Sequence, residues 1–151
     1  MDDWQRDLDA YFKKQKKTKK EIKSRKAELK KSIRRFMQGE VLPAFESLRK
    51  EFKKHKREIV IDSKKDWAAA LVKRNSHKEF VYEVNISSDA GDIIVCKRVY
   101  SINKKGKLKL RVEGKISNPN NSPQLSFTKE EDIIKDFLEH FKDSTRLKKS
   151  V

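Results

Sequence analysis

Trp4, Leu8, Tyr11, Ile22, Leu29, Ile33 and Phe36 recur at steps of mostly three and four, and Gln15, Thr18 and Lys26 fill the remaining places of the same series. Such a series returns to one side of an α-helix on every turn. It predicts a long helix over residues 2–38 carrying a coiled-coil-like seam. The seam is thin in its middle, where polar side chains replace apolar ones, so burial against the chain's own sheet or a partner helix is expected to reinforce it. A second apolar series, Met37, Val41, Ala44, Phe45, Leu48 and Phe52, predicts another helix over 41–55. Pro43 lies at the join. It has no N–H to offer the carbonyl of residue 39, and its ring crowds that carbonyl. Position 39 is Gly, so a kink or a break is expected between Gly39 and Pro43. The second helix is richer in large apolar groups and is the better match for a sheet face.

From Arg57 the period changes to two. Ile59 and Ile61 make one row, Phe80, Tyr82, Val84 and Ile86 another, and Leu108, Leu110, Val112 and Ile116 a third. Each predicts a strand with one buried face. Residues 92–103 (DIIVCKRVYSIN) are apolar or β-branched on both faces, which suits a central strand, and NKKGK then turns the chain into 107–116. Residues 66–75 admit helix or strand; their short span between two strands favours a strand. SNPNNSP, residues 117–123, has loop composition. Thr128 and Glu131 have capping-box spacing ahead of Ile133, Ile134, Phe137, Leu138 and Phe141, which predicts a helix over 128–145, followed by a frayed polar tail at 146–151. The expected architecture is a single α+β domain over 1–145. It has a long kinked or broken N-terminal helix pair, a four- to five-stranded antiparallel sheet over 57–116 and one C-terminal helix packed on that sheet.

Composition narrows the class without changing this picture. At 151 residues, with 41% charged and 35% hydrophobic side chains, the chain is sized for one core. No stretch is apolar enough to span a bilayer, and Met1-Asp2-Asp3-Trp4-Gln5 is acidic where a secretory leader would be basic. The single Cys96 has no disulfide partner within the chain, so a cytoplasmic setting is expected.

Charge does change the picture. The formal net charge is +16, and residues 13–35 carry thirteen Lys or Arg against Glu21 and Glu28, a net of +11. Residues 2–9 hold Asp2, Asp3, Asp7 and Asp9 against Arg6, which complements the positive end of a helix starting there. Lys13, Lys14, Lys16, Lys17, Lys19, Lys20, Lys23, Lys26, Lys30 and Arg34 are therefore candidates for contact with a polyanion. Lys107, Lys109, Arg111 and Lys115, with Lys97 as a neighbour, form a candidate second basic face. Aromatic residues are not interleaved with these cations as base stacking requires, so contact with phosphates is expected, with little sequence preference.

Other chemistry is thinly represented. His55, His77 and His140 lie in separate elements, Cys96 stands alone, and the four glycines do not cluster into a phosphate cradle. Asp92, followed by Glu113 and Lys115 on a later strand, has the order used by metal-dependent nucleases to hold a divalent cation. Three expectations follow. The first is a non-enzymatic module that contacts a nucleic-acid backbone or an acidic protein. The second is a self-associating or protein-interaction domain using the seam of Trp4, Leu8, Tyr11, Ile22 and Leu29. The third is a nuclease. No cofactor, small-molecule substrate or membrane insertion is expected, because the apolar stripe is too thin to enter an interface.

Overall fold

The structure, a computed structural model, describes residues 3–89, 92–120, 122 and 124–149. The first apolar series forms one helix, α1 (Asp3–Phe36), with Asp3 in its first turn and Arg34 and Arg35 in its last. That placement complements the helix dipole at both ends. Instead of breaking near Pro43, the helical path continues through a π-helical turn, Met37–Val41, into α2 (Leu42–Lys54). The Leu42 N–H donates to the Met37 carbonyl, the wider bond of a π turn, and Pro43 then falls in the first turn of α2, where no N–H is needed. Gly39 has open space around it, so the turn does not depend on its lack of a side chain.

Tertiary packing divides the chain into two units, one ending at Ser32 and the other beginning at Ile33. Within the described residues the first unit is the part of α1 up to Ser32. Two of its polar seam residues bond within the helix: Gln15 Nε2 donates to the Tyr11 hydroxyl at 2.9 Å, and Thr18 Oγ1 donates to the Lys14 carbonyl at 2.9 Å.

The second unit holds an antiparallel meander of β1 (Glu58–Lys64), β2 (Trp67–Arg74), β3 (His77–Asp89), β4 (Asp92–Ile102) and β5 (Leu108–Lys115) in sequential order. Residues 67–74 are thus a strand. Asn75 and Ser76, both at positive φ, close the β2–β3 hairpin, and Gly106 at φ 79° closes β4–β5. The helix α3 (Glu130–Lys149) completes the fold.

Two helices cover one face of the sheet. Ile59, Ala68, Ala70, Val72, Phe80, Tyr82, Val84, Val95 and Val99 face Ala44, Phe45, Leu48 and Phe52 of α2 and Ile133 and Phe137 of α3. Phe137 is the hub of an aromatic cluster. Its ring meets Phe52 at 5.6 Å and Phe80 and Tyr82 at 5.3 Å, all near edge-to-face.

Two local expectations are corrected. Thr128 does not cap α3; its hydroxyl donates to the Gln124 carbonyl. The helix begins at Glu130, two residues after the expected start: the Lys129 N–H donates to Asp132 Oδ2 at 2.9 Å, and the Glu130 N–H donates to Glu40 Oε2 at 2.5 Å. A carboxylate from the π turn therefore takes the capping role that the Thr128–Glu131 spacing implied. At its other end α3 extends to Lys149, past the expected tail boundary, and Ser150 and Val151 lie outside the described residues.

The second correction concerns β5. Its pairing with β4 shifts between Val99↔Val112 and Tyr100↔Leu110, leaving Arg111 as the extra residue of a bulge. One inserted residue reverses the alternation, so Leu108 and Leu110, expected inside, are 53% and 46% exposed.

Candidate polyanion interface

All thirteen Lys and Arg residues between Lys13 and Arg35 lie on α1 and are exposed. At about 100° per residue, ten of them fall within an arc of about 160° on the side away from the seam: Lys13, Lys16, Lys17, Lys19, Lys20, Lys23, Lys30, Lys31, Arg34 and Arg35. Glu21 and Glu28 lie outside that arc, so the face carries a single sign. Eight of the ten sequence candidates converge there. Lys14 sits on the opposite flank and Lys26 within the seam itself, while Lys31 and Arg35 join the face. Among the described residues none of the thirteen enters an ion pair. From Lys13 to Arg35 the face is about 33 Å long at 1.5 Å per residue.

On the other side the seam is open. Trp4 is 62%, Leu8 46%, Tyr11 56%, Ile22 47% and Leu29 43% exposed. Burial within the chain is met only at Ile33, which packs against the core, and at Phe36, which is inside it.

The second basic face does not hold together. Lys109 pairs in register with Ser101, and Arg111 Nε donates to the Ser101 hydroxyl at 2.8 Å, whereas Lys115 pairs with Cys96, whose alternation puts it on the opposite face. The bulge that exposes Leu108 and Leu110 also splits this row. Lys107, Lys109, Arg111 and Lys115 are all exposed, as suits an edge strand that must resist pairing with another edge.

Lys97 leaves the surface altogether. Its ammonium donates to Asp136 Oδ1 at 2.6 Å, the Tyr82 hydroxyl donates to Asp136 Oδ2 at 2.6 Å, and His140 Nε2 stands 3.6 Å from Oδ1. Burial pushes the Asp136 carboxyl upward, but its bonds with His140, Lys97 and Tyr82 outweigh this and hold its pKa below the ordinary value. Burial, followed by the charge of Asp136, raises the Tyr82 hydroxyl well above its usual 10.0. Sequence reading missed this group, because a Lys inside an otherwise apolar strand reads as solvent-facing. The available signal was Asp136 and His140, four apart beside the Ile133–Phe137–Phe141 stripe.

The nuclease constellation does not converge. Asp92 pairs with Asp89 at the start of β4, whereas Glu113 lies opposite Arg98, six residues further along that strand, or about 20 Å away. Glu113 is instead in an ion pair with Arg98 at 3.3 Å. Among the described residues no group of three or more His, Cys, Asp or Glu side chains is placed to hold a metal ion, and no helix is long and apolar enough to cross a membrane. A cleft of about 850 Å³ opens between α3 and the β3–β5 end of the sheet, with Phe80, Val99, Val112, Arg111 and His140 among its lining residues.

Comparison with protein-family models, with curated proteins and with solved structures gives no match for this chain.

Proposed function

We propose that the chain is a non-enzymatic binding module that grips a nucleic-acid backbone through the cationic face of α1. The observation that carries this reading is the single-sign arc: ten exposed cations, no acid among them, along about 33 Å of helix. An ordinary solvated helix face interleaves its acids and bases, because pairs at i,i+4 add a few tenths of a kcal/mol each. This face forgoes that gain and accumulates like charge, which is self-repelling unless an anion is present. Duplex DNA offers a charge about every 1.7 Å of axis, so several phosphates lie within reach of the helix. Contact through ammonium groups without stacking aromatics makes the binding indifferent to sequence.

Fluorescence anisotropy with duplex DNA and with RNA tests the proposal. Log affinity falls linearly with log salt, at a slope of about −0.9 per duplex phosphate contacted. Replacing Lys13, Lys16, Lys17 and Lys20 with Gln, all four within the arc, weakens binding to every sequence alike and flattens the slope, while the far-ultraviolet circular dichroism stays unchanged. The proposal fails if neither nucleic acid binds at about 150 mM salt, or if the quadruple variant binds as the parent does.

A further inference from the structure

We infer that two copies of the chain associate through α1, with the helices antiparallel and the residue numbers of facing seam positions summing to about 33. The starting point is the open seam, where Trp4, Leu8, Tyr11, Ile22 and Leu29 lie in one stripe about 38 Å long and each keeps 43% or more of its surface in water. A stripe of this spacing is completed by a second helix of the same kind.

The orientation follows from residue identities. In a parallel, in-register pair Lys26 would face its own copy inside the seam, and the cationic stretch 13–35 would run beside an identical one over its whole length. Reversal takes Lys26 away from its own copy and confines the like-charge overlap to residues 13–20. In the register summing to 33, Trp4 faces Leu29, Tyr11 faces Ile22, and Leu8 lies against the methylene stem of Lys26. Gln15 and Thr18 then meet at the centre, where each already makes one hydrogen bond on its own helix.

Charge agrees with this register. Residues 3–9 hold three Asp and one Arg, a net of −2, and lie opposite residues 24–30, where Arg25, Lys26 and Lys30 outweigh Glu28 to give +2. Four of the six lysines between 13 and 20, namely Lys13, Lys16, Lys17 and Lys20, point away from the seam and do not face their counterparts directly. Ile33 and Phe36, which the core already uses, are left out of the pairing. The cationic arc is also left free on each copy, so the inference stands independently of the proposed nucleic-acid contact.

Mass in solution and spin-label distances test it. Light scattering on the full chain gives about twice 17.8 kDa, and Leu8→Glu combined with Ile22→Glu returns it to the single-chain mass without changing sheet circular dichroism. In a Cys96→Ala background, a spin label at Arg6→Cys reads a separation near 32 Å between copies, since position 6 lies about 21 residues from its equivalent, whereas a label at Lys17→Cys reads a short one. Short distances at both positions mean parallel helices and overturn the inference. So does a monomeric mass at every concentration up to about 100 µM, or an assembly larger than two. Loss of mass with the Glu pair leaves the Gln-variant test of nucleic-acid binding intact, so failure of one idea is distinguishable from failure of the other.

Discussion

Asp136 gathers three polar partners, Lys97, Tyr82 and His140. It anchors α3 to the sheet by accepting from Lys97 and Tyr82, and its carboxylate is 5% exposed. Asp136→Asn leaves the Lys97 ammonium buried without its counter-charge, and loss of one partner of such a pair costs about 3–5 kcal/mol. Urea denaturation at neutral pH measures that loss. The pH dependence has a definite sign. The folded-state pKa of Asp136 lies below the ordinary 3.8, so its contribution is present above that value and is lost as pH falls through the folded pKa. Tyr82 acts at the other limit: its pKa is raised, so its contribution is complete below 10.0 and is lost as pH rises beyond that toward the folded value. In the Asp136→Asn variant the acid limb of the stability curve flattens; an unchanged acid limb would show that this carboxylate is not what the acid side of the curve reports.

Among the elements, α3 depends on a residue far from it in sequence. Glu40, in the π turn, accepts the Glu130 N–H, and Ser47 of α2 donates to Glu130 Oε1 at 3.3 Å. The π turn thus does more than accommodate Pro43: it brings a carboxylate to the positive end of α3. Glu40→Ala removes the cap and costs about 1 kcal/mol, or about 2–4 °C in Tm. Glu131→Ala, at the position the Thr128 spacing singled out, changes stability by less than about 0.5 kcal/mol, as an exposed surface substitution should. Equal effects from the two variants in thermal denaturation would contradict this assignment of the cap.

For the whole molecule, the two units differ in what protects their backbone. The strands are locked by a sheet and a buried core, whereas residues 3–32 form a helix whose own propensity has to maintain it. Hydrogen exchange therefore separates them: amides of β3 and β4 exchange at the slow limit at any protein concentration, and amides of residues 8–29 gain protection as concentration rises and helices pair. Protection in α1 that is independent of concentration would count against pairing. Salt separates the two proposed roles. It weakens polyanion binding by counterion competition, and it favours association of two chains that each carry +16, by screening their mutual repulsion.

Periods and composition specified all the elements but one. Steps of three and four marked α1, α2 and α3 and alternation marked the other strands, whereas residues 66–75 admitted helix or strand, and their short span only favoured the strand that the fold makes of Trp67–Arg74. The location of the charge excess was equally legible, since thirteen cations within residues 13–35 need no fold to be counted. What packing decided was phase and pairing. A one-residue bulge at Arg111 reversed which side of β5 faces inward, because alternation has no memory across an inserted residue. Lys97 looked like surface and became core, because the partner that makes its burial tolerable, Asp136, lies 39 residues away. Glu40 became the cap of α3 across 90 residues for the same reason. Sequence determines local conformation through short-range sterics and periodicity. Which distant polar groups meet is settled only when the core closes and each buried charge or N–H must find a partner.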